Sequence, residues 1–263
     1  MKGDRFLRWA FAGLLALASA SPAGAEGWGD FWRKRPPPAA PCVLDECLNG
    51  GGTQNPPPAS PGDRAAPRPG EIAPGAFDYY LLTLSWSPGF CDTGGDSKAP
   101  DQCEAGSGLG FVVHGLWPQY AHGYPQDCDG FSRPVSRSAL ALARGVFPDE
   151  SLARYEWRKH GTCTGLSPEG FFATVRRARD SIAVPEAFKA PRQEQSFAPR
   201  DIERAFIAVN PGLRFEAMAV TCRSGELQDV RLCLTKDLRS FVNCPEVARR
   251  SCRAPAISVA PVR

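Results

Sequence analysis

Apolar residues fall along this chain at two spacings. Residues 77–86 carry aromatic and aliphatic side chains over the length of one strand, and 109–113 form a second such run that stops at His114. Residues 214–221 and 226–234 flank the turn pair Ser224-Gly225 and so predict a hairpin. Helical spacing predicts helices over 136–144, 151–160, 168–180 and 199–209. Ser167 is placed to cap the third, with Pro168 at its first position, and Asn210-Pro211-Gly212 stops the fourth. Strands and helices do not alternate strictly. An α+β domain, an antiparallel sheet with helices packed to one side, fits that order better than a parallel sheet.

The same pattern marks what lies outside this domain. Lys2, Arg5 and Arg8 accompany a short apolar run over 9–20, and Ala23-Gly24-Ala25 follows, the layout of a cleaved export signal over residues 1–25. That run is too short to span a bilayer comfortably, and no later stretch approaches the length of a membrane helix. Residues 26–75 read as a disordered linker: Pro36-Pro37-Pro38, Gly50-Gly51-Gly52 and Pro56-Pro57-Pro58 crowd a segment with too few apolar side chains to bury a core. The folded domain is expected over 76–253, with 254–263 as a C-terminal tail.

Composition changes this picture in two ways. Ten cysteines, an even number, in an exported chain argue for disulfides rather than metal ligands, and place the protein in the periplasm or outside the cell. The formal charge of +3 falls to +1 without residues 1–25, which leaves 28 basic against 27 acidic groups. A broad positive field for a polyanion is therefore excluded, and any nucleic-acid contact must come from a local groove.

The chain has only three histidines, and two stand in unusual company: 111–118 reads Phe-Val-Val-His-Gly-Leu-Trp-Pro and 156–163 reads Glu-Trp-Arg-Lys-His-Gly-Thr-Cys. On a helix, Glu156 and His160 are four apart and share a face, with Lys159 adjacent, so one turn offers an acid, a base and a fixed positive charge. Gly161 is placed to end that helix in a left-handed cap. The helix dipole then favours protonated His160 while Lys159 opposes it. Two imidazoles facing each other across a cleft can take a proton from a ribose 2′-hydroxyl and give one to the leaving 5′-oxygen. Gly115 allows close backbone approach, and Trp117 beside Pro118 offers a flat surface on which a base can stack. Gln119, Tyr120 and Tyr124 are the candidates for lining a base pocket. His122 has no comparable context and reads as a loop residue; His160 with Cys163 lacks the second matched pair of a zinc site. The arginines of 176–179 read as a solvated helix face, with guidance of RNA as the alternative.

At these residues the chain resembles the ribonuclease T2 family, whose signatures are a His-Gly-Leu-Trp-Pro segment and a Glu-Trp-x-Lys-His-Gly-Thr-Cys segment. Both occur here, at 114–118 and 156–163, with their histidines 46 residues apart. The resemblance implies an α+β fold and a metal-independent endoribonuclease that acts through a 2′,3′-cyclic phosphate, with no cofactor; the two-imidazole reading needs a 2′-hydroxyl and so expects RNA and not DNA as substrate, and a monomer is the default expectation. It implies His160 as general base, His114 as general acid, and Glu156 with Lys159 as stabilisers of the phosphorane. Many members carry a phosphate-holding histidine just before the glutamate; here that position is Tyr155. A slow or inactive binding or storage protein of the same fold is the alternative, but its expected mark, loss of His114 or His160, is absent. The family's cysteine pattern suggests Cys91 with Cys103, Cys128 with Cys163, Cys222 with Cys252 and Cys233 with Cys244, leaving Cys42 and Cys47 for each other in the linker; spacing alone does not fix connectivity.

Overall fold

A computed structural model describes residues 73–128 and 134–263. The expected export signal, nearly all of the expected linker and the expected Cys42–Cys47 pairing lie outside the described residues.

Among the described residues six strands form one sheet: β1 (Tyr79–Trp86), β2 (Phe111–Gln119), β3 (Gln195–Phe197), β4 (Met218–Arg223), β5 (Glu226–Leu234) and β6 (Ile257–Val259). The helices are α1 (Ser87–Phe90), α2 (Pro100–Cys103), α3 (Arg137–Ala143), α4 (Glu150–Lys159), α5 (Pro168–Asp180), α6 (Pro199–Val209) and α7 (Pro245–Ala248). β1 is central, antiparallel to β2 on one side and to β5 on the other. β4 and β5 form the expected hairpin around Ser224-Gly225, and both turn residues take positive φ. The sheet is antiparallel except where β6 meets β5 in one parallel bridge, Glu226 opposite Ser258.

The period of two along β1 divides the molecule. Leu82, Leu84 and Trp86 face the main core with Val113 and Leu116 of β2, Val230 and Leu232 of β5, Trp157 of α4, Phe171 and Phe172 of α5, and Phe206 of α6. Truncating one of these buried leucines to alanine costs roughly 2–5 kcal/mol. Tyr79 and Leu81 face the other way and join Ala219, Cys233, Cys244 and Val247 in a smaller cluster. Further along that second face β1 becomes polar, with Thr83 and Ser85. The site lies there.

Local signals set the helices. Ser136, Asp149 and Ser167 cap α3, α4 and α5 by accepting from backbone N–H groups, and Pro168 opens α5. Among the described residues, four disulfides join Cys91 to Cys103, Cys128 to Cys163, Cys222 to Cys252 and Cys233 to Cys244.

Four expectations need correction. Residues 254–263 are not a tail: Ile257 and Val259 are buried in the sheet, and β6 pairs with β3. The helices do not all lie on one side, because Val247 of α7 packs in the second cluster. β2 does not end at His114 but runs through it to Gln119. Gly161 is not the left-handed cap; it opens a 3-10 turn, Gly161–Thr164, and Gly165 takes the left-handed conformation at φ +75°. Glycine is required at 161 for another reason, since a Cβ there would lie 2.4 Å from the ring of Trp157.

No helix among the described residues is long and apolar enough to cross a membrane.

Candidate active site

A β-bulge sets the direction of the first histidine. β1 and β2 pair Thr83 with Gly115 and Leu84 with Val113, so His114 is the extra residue of β2. Without it, strict alternation from Leu116, which is in the main core, would turn His114 inward and Val113 outward. With it, Val113 packs in the core while His114 meets Trp117 and Ser85 on the other face.

The second histidine comes from the end of α4, whose last turn brings Glu156, Lys159 and His160 together. Trp117 joins the two halves. Its ring centroid is 5.4 Å from that of His114 and 5.3 Å from that of His160, and its Nε1 donates to Glu156 Oε2 at 2.7 Å. Gly115 lies beneath this contact: a Cβ there would fall 2.1 Å from Trp117 Nε1 and 2.2 Å from Glu156 Oε2. The site therefore needs glycine in a strand position where glycine is otherwise unfavourable.

Burial governs the titration of all three groups. Glu156 is 1% exposed, and burial pushes its carboxyl up to about 8 against the hydrogen bond from Trp117 and the charge of Lys159. At neutral pH this side chain is mostly a neutral acid. Since Oε2 accepts from Trp117, its own proton belongs on Oε1. Burial, then Lys159, then His114 hold His160 down at about 3, which outweighs the pull of the helix dipole. Its Nδ1 is buried with no hydrogen-bond partner among the described residues. Burial also lowers His114, Asp229 opposes this, and Arg231 adds to it.

Lys159 Nζ lies 3.5 Å from Asp127 Oδ2, and its carbonyl accepts from the Asp127 N–H at 2.8 Å. Cys128 follows and is bonded to Cys163, so the segment before it is tied to the end of α4 twice. Tyr155 is half-buried on α4, and its phenol is raised by burial, then by Glu156 and Asp127.

The remaining candidates separate. Trp117 holds Glu156 and packs between the histidines, a positioning task that its reading as a stacking surface did not include. Gln119 is buried with its amide donating to the Pro118 carbonyl, Tyr120 packs on the main core, and Tyr124 is 51% exposed. His122 is an exposed loop residue 3.2 Å from Glu246. Arg176 donates to the carbonyls of Leu142 and Arg144, and so closes the end of α3.

Sequence reasoning missed Ser85, Asp229 and Arg231. Ser85 Oγ stands 3.3 Å from His114 Nδ1 and donates to Asp229 Oδ1 at 2.6 Å; Arg231 donates to Asp229 Oδ2 at 3.0 Å. A signal was present. Asp229 and Arg231 are charges two apart, between the apolar positions Leu227, Val230 and Leu232 of one strand.

Comparison with known proteins shows the family. The model of the Ribonuclease T2 family matches residues 77–244. A ribonuclease of Aeromonas hydrophila is 33% identical over 202 residues, covering 72% of this chain and 88% of that protein. Ribonuclease I of Escherichia coli (strain K12) is 27% identical over 214 residues, covering 65% and 79%. The structure of ribonuclease MC1 from the seeds of bitter gourd superposes with a TM-score of 0.54 at 20% identity, covering 69% of this chain and 99% of that one, a likeness of fold. With more than half of the chain matched to the family model and a relative 33% identical over 72% of its length, this chain belongs to the ribonuclease T2 family and is an RNA-cleaving enzyme.

Proposed function

We propose that this protein is an exported endoribonuclease that cleaves single-stranded RNA without a metal ion, with His160 as general base and His114 as general acid. The observation that carries this reading is the packing of both imidazoles against the one ring of Trp117, at 5.3 and 5.4 Å. His160 is neutral at physiological pH and so is ready to accept a proton; its buried Nδ1 leaves Nε2 as the nitrogen that meets substrate.

In the first step Nε2 of His160 removes the proton of the ribose 2′-hydroxyl, the 2′-oxygen bonds to phosphorus, and the bond from phosphorus to the 5′-oxygen breaks as His114 gives that oxygen a proton. The products are a 2′,3′-cyclic phosphate and a free 5′-hydroxyl. In the second step His114 takes a proton from water as the water oxygen bonds to phosphorus, the bond from phosphorus to the 2′-oxygen breaks as His160 gives that oxygen a proton, and a 3′-phosphate forms. The negative charge of the phosphorane raises the proton affinity of both histidines. Glu156, neutral and held through Oε2, donates from Oε1 to a phosphoryl oxygen, and Lys159 supplies positive charge beside it. The export reading rests on Lys2, Arg5 and Arg8 ahead of the apolar run and on the paired cysteines.

The test is end analysis of a defined short RNA cut in excess chelator. A 2′,3′-cyclic or 3′-phosphate and a 5′-hydroxyl are expected, with no cleavage of the matching DNA. A 5′-phosphate product, or activity lost in chelator and restored by a divalent ion, overturns the mechanism. His114→Ala and His160→Ala are each expected to lose on the order of 10²–10⁴ in rate.

A further inference from the structure

Beyond the two signature segments, the polar face of the sheet holds a chain of hydrogen bonds that begins at His114. Ser85 Oγ lies 3.3 Å from His114 Nδ1 and gives its proton to Asp229 Oδ1 at 2.6 Å. Asp229 Oδ2 accepts from Thr221 Oγ1 at 3.1 Å and from Arg231 at 3.0 Å, while the Asp229 N–H donates to Thr221 Oγ1 at 3.1 Å. Ser85 and Asp229 are also paired across β1 and β5, so the sheet register fixes their separation. A hydroxyl has one proton. With that proton on Asp229, the Ser85 oxygen faces His114 with a lone pair, and the hydrogen between them must sit on Nδ1.

We propose that Ser85 and Asp229 are positioning residues for the cleavage reaction, holding His114 with Nδ1 protonated so that Nε2 is the nitrogen that delivers the proton to the leaving 5′-oxygen. The proposal rests on the reading of His114 as the general acid. It assigns a task to residues outside both signature segments.

The physical need is specific. A neutral imidazole has two tautomers, and the one with a bare Nδ1 would leave the Ser85 oxygen and Nδ1 as two acceptors in contact. The acid must also be charged before it can act. His114 is half-buried, with Trp117 of β2, Arg231 of β5 and His160 at the end of α4 around it and Lys159 and Glu156 beside His160; among these described groups, Asp229 is the one whose charge draws a proton to it. Thr221 and Arg231 hold that carboxylate in place from its far side. A network serving only the sheet would give the same distances, so the test must read the proton transfer itself.

Leaving-group chemistry does this. A nucleoside 3′-(4-nitrophenyl phosphate) expels a weakly basic phenolate that needs no proton, whereas the dinucleoside phosphate with the same first base expels an alkoxide that does. For Ser85→Ala and Asp229→Asn, kcat/KM on the dinucleoside is expected to fall about 10-fold to 100-fold, and on the nitrophenyl ester to stay within about threefold of the parent. Removing the Asp229 charge should also move the alkaline limb of the pH–rate profile down by about half a pH unit or more, since that limb reports the acid, and leave the acidic limb in place. Ser85→Thr keeps the hydroxyl and should recover most of the lost rate. His114→Ala is the reference. If it fails to distinguish the two esters, His114 is not the acid and the underlying reading falls. If it distinguishes them while Ser85→Ala and Asp229→Asn lose equally on both esters, or lose on neither, the positioning role is overturned. Should Asp229→Asn not fold, Ser85→Ala, which leaves Asp229 bonded to Thr221 and Arg231, carries the comparison alone.

Discussion

The indole N–H of Trp117 donates to the carboxyl of Glu156 at 2.7 Å, and this one bond ties the strand signature to the helix signature. Four expectations follow from the geometry around it.

Glu156 is raised from 4.5 to about 8, so the folded protein keeps a proton that the unfolded chain releases between those values. The stability it contributes is complete below about pH 4.5 and is lost as pH rises through about 8. Glu156→Gln cannot titrate. Its Tm relative to the parent should therefore rise steadily across that interval, as read by thermal melts at several pH values. Because an amide can still donate a hydrogen bond, Glu156→Gln should keep activity within roughly tenfold at neutral pH, while Glu156→Ala loses about 10-fold to 100-fold more.

Gly115→Ala places a methyl group 2.1 Å from Trp117 Nε1 and 2.2 Å from Glu156 Oε2. Neither side chain can yield without breaking the bond between them. Both Tm and kcat/KM should fall, with a stability loss of about 1–3 kcal/mol. A variant as active and as stable as the parent would show that the two signatures do not need this contact.

Burial and Lys159 keep His160 at about 3, so the acidic limb of kcat/KM should lie well below the ordinary histidine value of 6.5. Replacing Lys159 by Gln removes one of the causes of that depression. The acidic limb should then move to higher pH while the rate at the optimum falls. A limb that stays put in Lys159→Gln would argue that burial alone sets the base.

Tyr155 stands where the resemblance to the family implies a phosphate-holding histidine, and a phenol raised further by burial, Glu156 and Asp127 stays neutral throughout the working range. Hydrolysis of the cyclic product must hold its phosphate without the rest of the polymer, so the second step should be the slower one and cyclic phosphate should accumulate. Tyr155→His should speed hydrolysis of a 2′,3′-cyclic nucleotide more than cleavage of long RNA, measured by product ends over time. Equal effects on both steps would remove the argument.

Much of this protein is written in local sequence, because local interactions decide it. The apolar period along 168–180, with Ser167 and Pro168 at its start, specifies α5 without reference to anything distant, and Ser224-Gly225 supplies the positive φ values of its hairpin turn. His114, Glu156, Lys159 and His160 are legible for a related reason: each signature places chemically unusual neighbours within one strand or one helical turn. Only the tertiary structure decided the rest. The bulge that turns His114 away from the core depends on the register of β1 against β2, which no spacing within β2 reveals. The task of Gly115 depends on a tryptophan two residues on and a glutamate from another element, and the place of Ile257–Val259 depends on β5 and β3, between which that strand lies. Ser85 and Asp229 are 144 residues apart and meet because adjacent antiparallel strands bring them opposite each other. Contacts of that kind are set by pairing across the sheet, and a side chain on a polar strand face gives little sign in sequence of which partner the sheet will bring to it.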